Sequence, residues 1–82
     1  MQKKFKMRGV CADTIDIEVE DGVIVAVQFS GGCDGNLQGV SRLSEGMEAR
    51  DAIARLKGIK CGRRSTSCPD QLANALLTMV GE

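Results

Sequence analysis

Along the first third of the chain the hydrophobic positions fall on every second residue. Ile15, Ile17 and Val19 alternate with Asp16, Glu18 and Glu20, the period of a strand that buries one face and wets the other. Asp21-Gly22 follows, a dipeptide suited to a two-residue hairpin turn. Val23 to Phe29 then reads as the returning strand, with Val23, Val25, Val27 and Phe29 on one face and Ile24, Ala26 and Gln28 on the other. Upstream, Phe5, Met7 and Val10 suggest a short first strand broken by Gly9.

Beyond residue 36 the period changes. Leu37, Val40 and Leu43 recur every three residues, predicting a short helix with Ser41, Arg42 and Ser44 outside and an interruption at Gly46. Ala49, Ala52, Ile53 and Leu56 form the apolar stripe of a second helix that Gly58 ends. A third carries Leu72, Ala73, Leu76 and Val80 inward, with Met79 flanking, and stops at Gly81. Strands first and helices second predict an α+β, two-layer domain: an antiparallel β-meander of about three strands, followed by two or three helices packed on one face. No repeat, low-complexity run or linker divides residues 1–82, so a single domain is expected.

Composition limits what such a domain can do. With Phe5 and Phe29 as its only aromatics, the core must be built from Val, Ile, Leu, Met and Ala. A chain of 82 residues buries little surface unless a metal, a disulfide or a second copy of itself contributes. Lys plus Arg and Asp plus Glu balance at 11 each. That leaves no net charge to attract nucleic acid, and the stacking aromatics of single-strand binders are missing. No run is long and apolar enough for a membrane span, and residues 1–7 lack the apolar core of a signal peptide, so a cytoplasmic protein is expected. Histidine is absent, which removes imidazole as a general base and leaves sulfur and carboxylate as metal ligands.

Four cysteines in such a setting point to metal or thiol chemistry more than to a disulfide framework. Cys11 precedes the alternating strand, and Cys33 follows its hairpin partner in the Gly-rich loop Ser30-Gly31-Gly32-Cys33-Asp34-Gly35. Those two positions lie at the same end of a hairpin and are expected to be neighbours. Cys61 follows the second helix and Cys68 opens the last. All four fall at element boundaries beside Gly, Ser or Asp, and none on an apolar face. Asp13 and Asp34 add carboxylates beside Cys11 and Cys33.

The richest stretch is Arg63-Arg64-Ser65-Thr66-Ser67-Cys68-Pro69-Asp70. Proline is tolerated in a first helical turn, so Pro69 marks position N1 and puts Cys68 at or beside the N-cap. Unpaired N–H groups and the helix dipole favour a negative group there, and a thiolate is the form that binds metals and attacks disulfides. The plainer reading is that Ser67 or Cys68 simply caps the helix. Arg63 and Arg64 are candidate anion-binding residues at the same helix start.

Thr66-Ser67-Cys68-Pro69-Asp70 is the string for which the TSCPD-domain family is named, and the resemblance covers almost the whole chain. The family includes stand-alone forms of this size and resembles the C-terminal domain of adenosylcobalamin-dependent ribonucleotide reductases. Most members carry four cysteines, here Cys11, Cys33, Cys61 and Cys68. The resemblance implies metal binding and association with a ribonucleotide reductase, hence with DNA synthesis. A complete reductase is excluded, because 82 residues leave no room for its radical machinery. Any reductase label would therefore reflect homology to one domain.

Cys11-Ala12-Asp13, Gly32-Cys33 and Cys68 also resemble the ligand pattern of U-type iron–sulfur cluster scaffolds. That likeness implies Cys11, Cys33 and Cys68 as ligands and Asp13 as a labilising carboxylate. Those scaffolds carry a histidine where this chain has Ser67, they have a Leu-Pro-Pro-Val-Lys motif missing here, and Cys61 is extra. Three expectations follow. The first is a four-cysteine module for zinc or an iron–sulfur cluster, with Asp13 and Asp34 either supporting the thiolates through hydrogen bonds or standing in as ligands themselves. The second is a thiol–disulfide redox module serving a ribonucleotide reductase or another partner enzyme. The third is a plain interaction domain.

Overall fold

The structure, a computed structural model, describes residues 1–32 and 34–81; Cys33, Glu82 and the side chain of Asp34 lie outside that description. Strands β1 (Gln2–Lys6), β2 (Ala12–Glu20) and β3 (Val23–Gly31) precede helices α1 (Asp34–Ser44), α2 (Ala49–Leu56) and α3 (Cys68–Val80). The strands form one antiparallel sheet in the order β1-β2-β3. Its inner face shares an apolar cluster with the helices, the α+β layering expected from the order of elements.

The β2–β3 hairpin turns at Asp21 and Gly22, whose φ values of 52° and 78° are both positive, as a turn of the I′ type requires. Ile15, Ile17 and Val19 point into the core. The β3 pattern differs from strict alternation. Glu18 pairs with Ala26 and Val19 with Ile24, so Val25 is an extra residue in a bulge. The bulge turns Ile24 (0 % exposed) and Val27 inward together and leaves Val25 47 % exposed.

The first strand also differs. It runs Gln2–Lys6 and not Phe5–Val10, pairing Phe5 with Ile15 and Lys3 with Ile17. Its lysines suit an open sheet edge, where charge discourages pairing with another chain. Gly9, at φ 69°, lies in the connection that follows, and Met7, expected within the strand, is buried after it.

In α1 the inward residues are Leu37, Ser41 and Ser44, with Val40 half-buried, whereas Leu43 is 79 % exposed. This reverses the expected placement of Leu43 and the two serines. Helix α1 packs along β3, and small side chains allow that approach. The Ser44 hydroxyl costs little there because it donates to the Val40 carbonyl at 2.7 Å. Helices α2 and α3 pack against each other, with Ala49, Ala52, Ala73 and Ala75 buried. In α3 Met79 is buried and Val80 half-buried, the opposite of their expected ranking. Ile15, Ile17, Ile24, Leu72 and Leu76 are the largest fully buried side chains, each stabilising by about 1.5–3 kcal/mol.

Candidate functional site

The start of α3 is built by the five residues 66–70. Ser67 is the N-cap, its φ of −150° extended, and its hydroxyl accepts from the Asp70 N–H at 3.1 Å. Cys68 is thus the first helical residue, one place inside the cap, and the capping role falls to Ser67. The same hydroxyl donates to the Ile59 carbonyl at 2.7 Å. Asp70, three residues after the cap and buried, takes the Thr66 hydroxyl on one carboxylate oxygen and the Gly58 N–H, at 2.7 Å, on the other. The segment leaving α2 is therefore tied to the first turn of α3. The Thr66 bond, then the Gly58 bond, with Lys57 adding a smaller attraction, hold the Asp70 carboxyl below its ordinary value against the opposing effect of burial.

One turn on, Gln71 holds a second segment. Its amide nitrogen donates to the Arg8 carbonyl and its amide oxygen accepts from the Arg8 N–H at 3.2 Å. This pair spans 63 residues of sequence and carries the segment leading to Cys11 onto α3. Replacing Gln71 with Ala should cost about 1 kcal/mol, the net worth of such bonds. It should also speed alkylation of Cys11 several-fold while leaving Cys61 unchanged, which a timed thiol-modification assay followed by peptide mass mapping would read.

Three of the four sequence-nominated cysteines are described, and all three are free thiols. Cys11 and Cys61 are exposed, whereas Cys68 is 8 % exposed and belongs to the apolar cluster. Cys68 thus departs from the expectation that no cysteine lies on an apolar face. Residues 61–66 close on themselves, the Cys61 N–H donating to the Thr66 carbonyl at 3.2 Å and the Arg64 N–H to the Cys61 carbonyl at 3.0 Å. From this loop Arg64 Nη1 reaches the Sγ of Cys11 at 3.9 Å. Arg63 and Arg64 are both exposed. The α3 N-terminus beside them already has Ser67 on the Asp70 N–H and the Ser67 carbonyl on the Gln71 N–H.

Cys33 and the side chain of Asp34, both nominated as ligands, lie outside the described residues. Their neighbours are informative. Ala12 pairs with Gly31 and Thr14 with Ser30, making Asp13 a second bulged residue. The Asp13 carbonyl accepts from the Met7 N–H at 2.9 Å. Gly31 and Gly32 have φ of 83° and 81°. A Cβ on Gly31 would stand 2.8 Å from Asp13 Oδ2, and one on Gly32 would stand 2.9 Å from the Ala12 nitrogen and 3.1 Å from the Cys11 carbonyl carbon. The chain entering Cys33 therefore lies directly on the Cys11-Ala12-Asp13 backbone. Among the described residues no group of three or more Cys, Asp or Glu is close enough to hold a metal ion. A site with three such ligands in this conformation has to include at least one of Cys33, Asp34 and Glu82, the acidic or thiol side chains outside the described residues.

The residues missed from the sequence are Thr66, Ser67 and Asp70 as a clamp on Gly58-Ile59, and Gln71 as the anchor of Arg8. The spacing Ser67-x-x-Asp70 was the available signal for the first, being close to a capping box.

Sheet and helices define a small α+β domain in which Cys11 precedes β2, Cys61 lies in the loop between α2 and α3, and Cys68 opens α3. The chain belongs to the TSCPD domain family, which matches residues 1–80. No curated protein and no solved structure matches it. No helix among the described residues is long and apolar enough to cross a membrane.

Proposed function

We propose that this TSCPD domain is a metal-binding module in which Cys11, Cys33, Cys61 and Cys68 hold zinc or an iron–sulfur centre, with Asp13 and Asp34 beside it. The observation that carries the reading is the seating of Gly32, next to Cys33, on the Cys11-Ala12 backbone, while Arg64 extends from the Cys61 loop to the Cys11 sulfur. Gly32 thus lies on the Cys11 segment and Arg64 ties the Cys61 loop to it. Because Cys11, Cys61 and Cys68 do not form a three-ligand group as they stand, metal binding would draw the Cys61 loop and the start of α3 toward Cys11. Four sulfurs suit a tetrahedral zinc or an iron–sulfur cluster. Binding would add folding free energy to a core with only two aromatic residues. The module would serve a ribonucleotide reductase or another redox enzyme in the cytoplasm, as its family resemblance suggests.

A second reading draws on the exposure of Cys11 and Cys61 and on the Arg64 contact. In thiol–disulfide exchange two thiols of this chain would become one disulfide as a partner's disulfide is reduced to two thiols.

Elemental analysis, an absorption spectrum and a thiol count on protein purified without oxygen separate the readings. The metal module predicts about one zinc, or one iron–sulfur centre, per chain, lost in Cys11→Ser and Cys33→Ser, together with a chelator-sensitive melting temperature. Metal-free protein that forms a reversible disulfide would establish exchange instead. Metal-free protein whose folding and contacts survive replacement of all four cysteines would leave an interaction domain.

A further inference from the structure

The outer edge of β3 is half occupied by the chain itself. Beyond α1 the Gly46 N–H donates to the Ile24 carbonyl and the Ile24 N–H to the Met47 carbonyl, both at 2.8 Å; the Ala49 N–H then donates to the Gly22 carbonyl at 2.7 Å. Val23 and Glu48 form an antiparallel bridge within this run. This ladder covers the edge as far as Ile24. Farther along, the Val27 N–H points the same way and meets a carboxylate oxygen of Glu45 at 3.2 Å, the position a peptide carbonyl would take in a continuing ladder. Phe29, two residues on, presents its N–H and carbonyl on the same side. Beside this part of the edge lies a groove of about 590 Å³, lined by Val27, Phe29 and Gly31 of β3 and by Gln38, Arg42 and Glu45 of the α1 side.

We infer that the β3 edge from Val27 to Gly31 receives an extended segment of a partner polypeptide, its main chain continuing the ladder and an acidic side chain facing Arg42. The main-chain chemistry follows from the ladder that residues 46–49 already make on the same strand, and from Glu45, which fills one acceptor position. The acidic preference follows from the groove wall. Residues of an added strand that face α1 meet its polar side, where Arg42 is the cation, and displacement of Glu45 removes the negative charge next to it. Glu45 thereby guards the edge against indiscriminate pairing, as charged groups at sheet edges do. The bound segment would end beside Gly31-Gly32 and so beside the thiol loops. The inference does not depend on whether those thiols hold metal.

The test is an amide NMR titration of the full chain with an acetylated octapeptide of alternating valine and aspartate. The expected result is peptide-dependent shifts at the Val27 and Phe29 amides and slower hydrogen exchange at Phe29. Glu45→Ala should bind about fivefold tighter, since the peptide carbonyl no longer competes for the Val27 N–H. Arg42→Glu should weaken the aspartate peptide about threefold or more and favour a valine–lysine peptide instead. Both substitutions are at exposed positions, and unchanged amide shifts in β1 and β2 confirm that the variants fold. Absence of shifts at Val27 and Phe29 in Glu45→Ala at millimolar peptide would leave Glu45 as an edge guard alone and overturn the inference. So would equal affinity whatever the charge at position 42, or dimerisation of Glu45→Ala through β3.

Discussion

Replacing Asp70 with Ala is expected to destabilise the domain by about 2–4 kcal/mol, read as a lower urea midpoint at unchanged slope. A charged acceptor that takes both the Thr66 hydroxyl and the Gly58 N–H is lost at once. The Gly58 N–H is left without its partner where α2 meets α3. Against the roughly 5–10 kcal/mol typical of a small domain, this is a large fraction. Asp70→Asn should cost about half as much, because an amide oxygen can still accept one of the two bonds.

The asparagine variant also isolates the pH dependence. Asp70 titrates below its ordinary value of 3.8 in the folded protein, so the folded state holds the proton less tightly than the unfolded state. Its stabilising contribution is fully present above the unfolded value and is lost as pH falls through the folded one. The stability gap between the native protein and Asp70→Asn should therefore be flat from about pH 8 to pH 5 and narrow below about pH 4. A gap that stayed constant down to pH 2 would show that Asp70 carries no special charge interaction.

What could be read from the chain alone divides along physical lines. The β2 alternation and the Asp21-Gly22 turn were legible because each depends on neighbours in sequence. The ends of α2 and α3 were legible for the same reason, through Gly58, Pro69 and Gly81. The inward faces of β3 and α1 were not. A bulge at Val25 shifts every later side chain to the other face without leaving a mark in the hydrophobic pattern. The burial of Ser41 and Ser44 in place of Leu43 depends on how closely α1 lies against β3, a property of the assembled layers. At the candidate site the cysteines and the helix start at residues 67–69 were visible. The ties from Asp70 to Gly58 and from Gln71 to Arg8 were not, because nothing in a linear sequence names the partner of a long-range hydrogen bond. The charge balance concealed a similar point, since Arg42 and Glu45 matter through the strand edge they face and not through their sum.

The second large effect is expected at Gly32. Its φ of 81° lies in the left-handed region that an alanine adopts only at a cost. The added Cβ would also stand 2.9 Å from the Ala12 nitrogen and 2.9 Å from Leu37 Cδ1, with the Cys11 carbonyl carbon at 3.1 Å. Leu37 is 6 % exposed and has little room to yield, and the Ala12 and Cys11 atoms are main chain. Gly32→Ala should therefore cost about 2–4 kcal/mol in urea unfolding, combining backbone strain with overpacking. Gly31→Ala provides the contrast. Its φ of 83° carries similar strain, yet its nearest contact, at 2.8 Å, is the far end of the exposed Asp13 side chain, which can swing aside. About 1–2 kcal/mol is expected there. The functional readout runs in parallel. Under the proposed metal-binding reading, at a temperature where both variants are folded, Gly32→Ala should retain less metal per chain than Gly31→Ala, because only the former sets a Cβ against the Cys11-Ala12 backbone. Equal loss of stability in the two variants would show that backbone strain alone governs the loop. Equal metal content in folded samples would show that the Gly32 contact does not position the thiols.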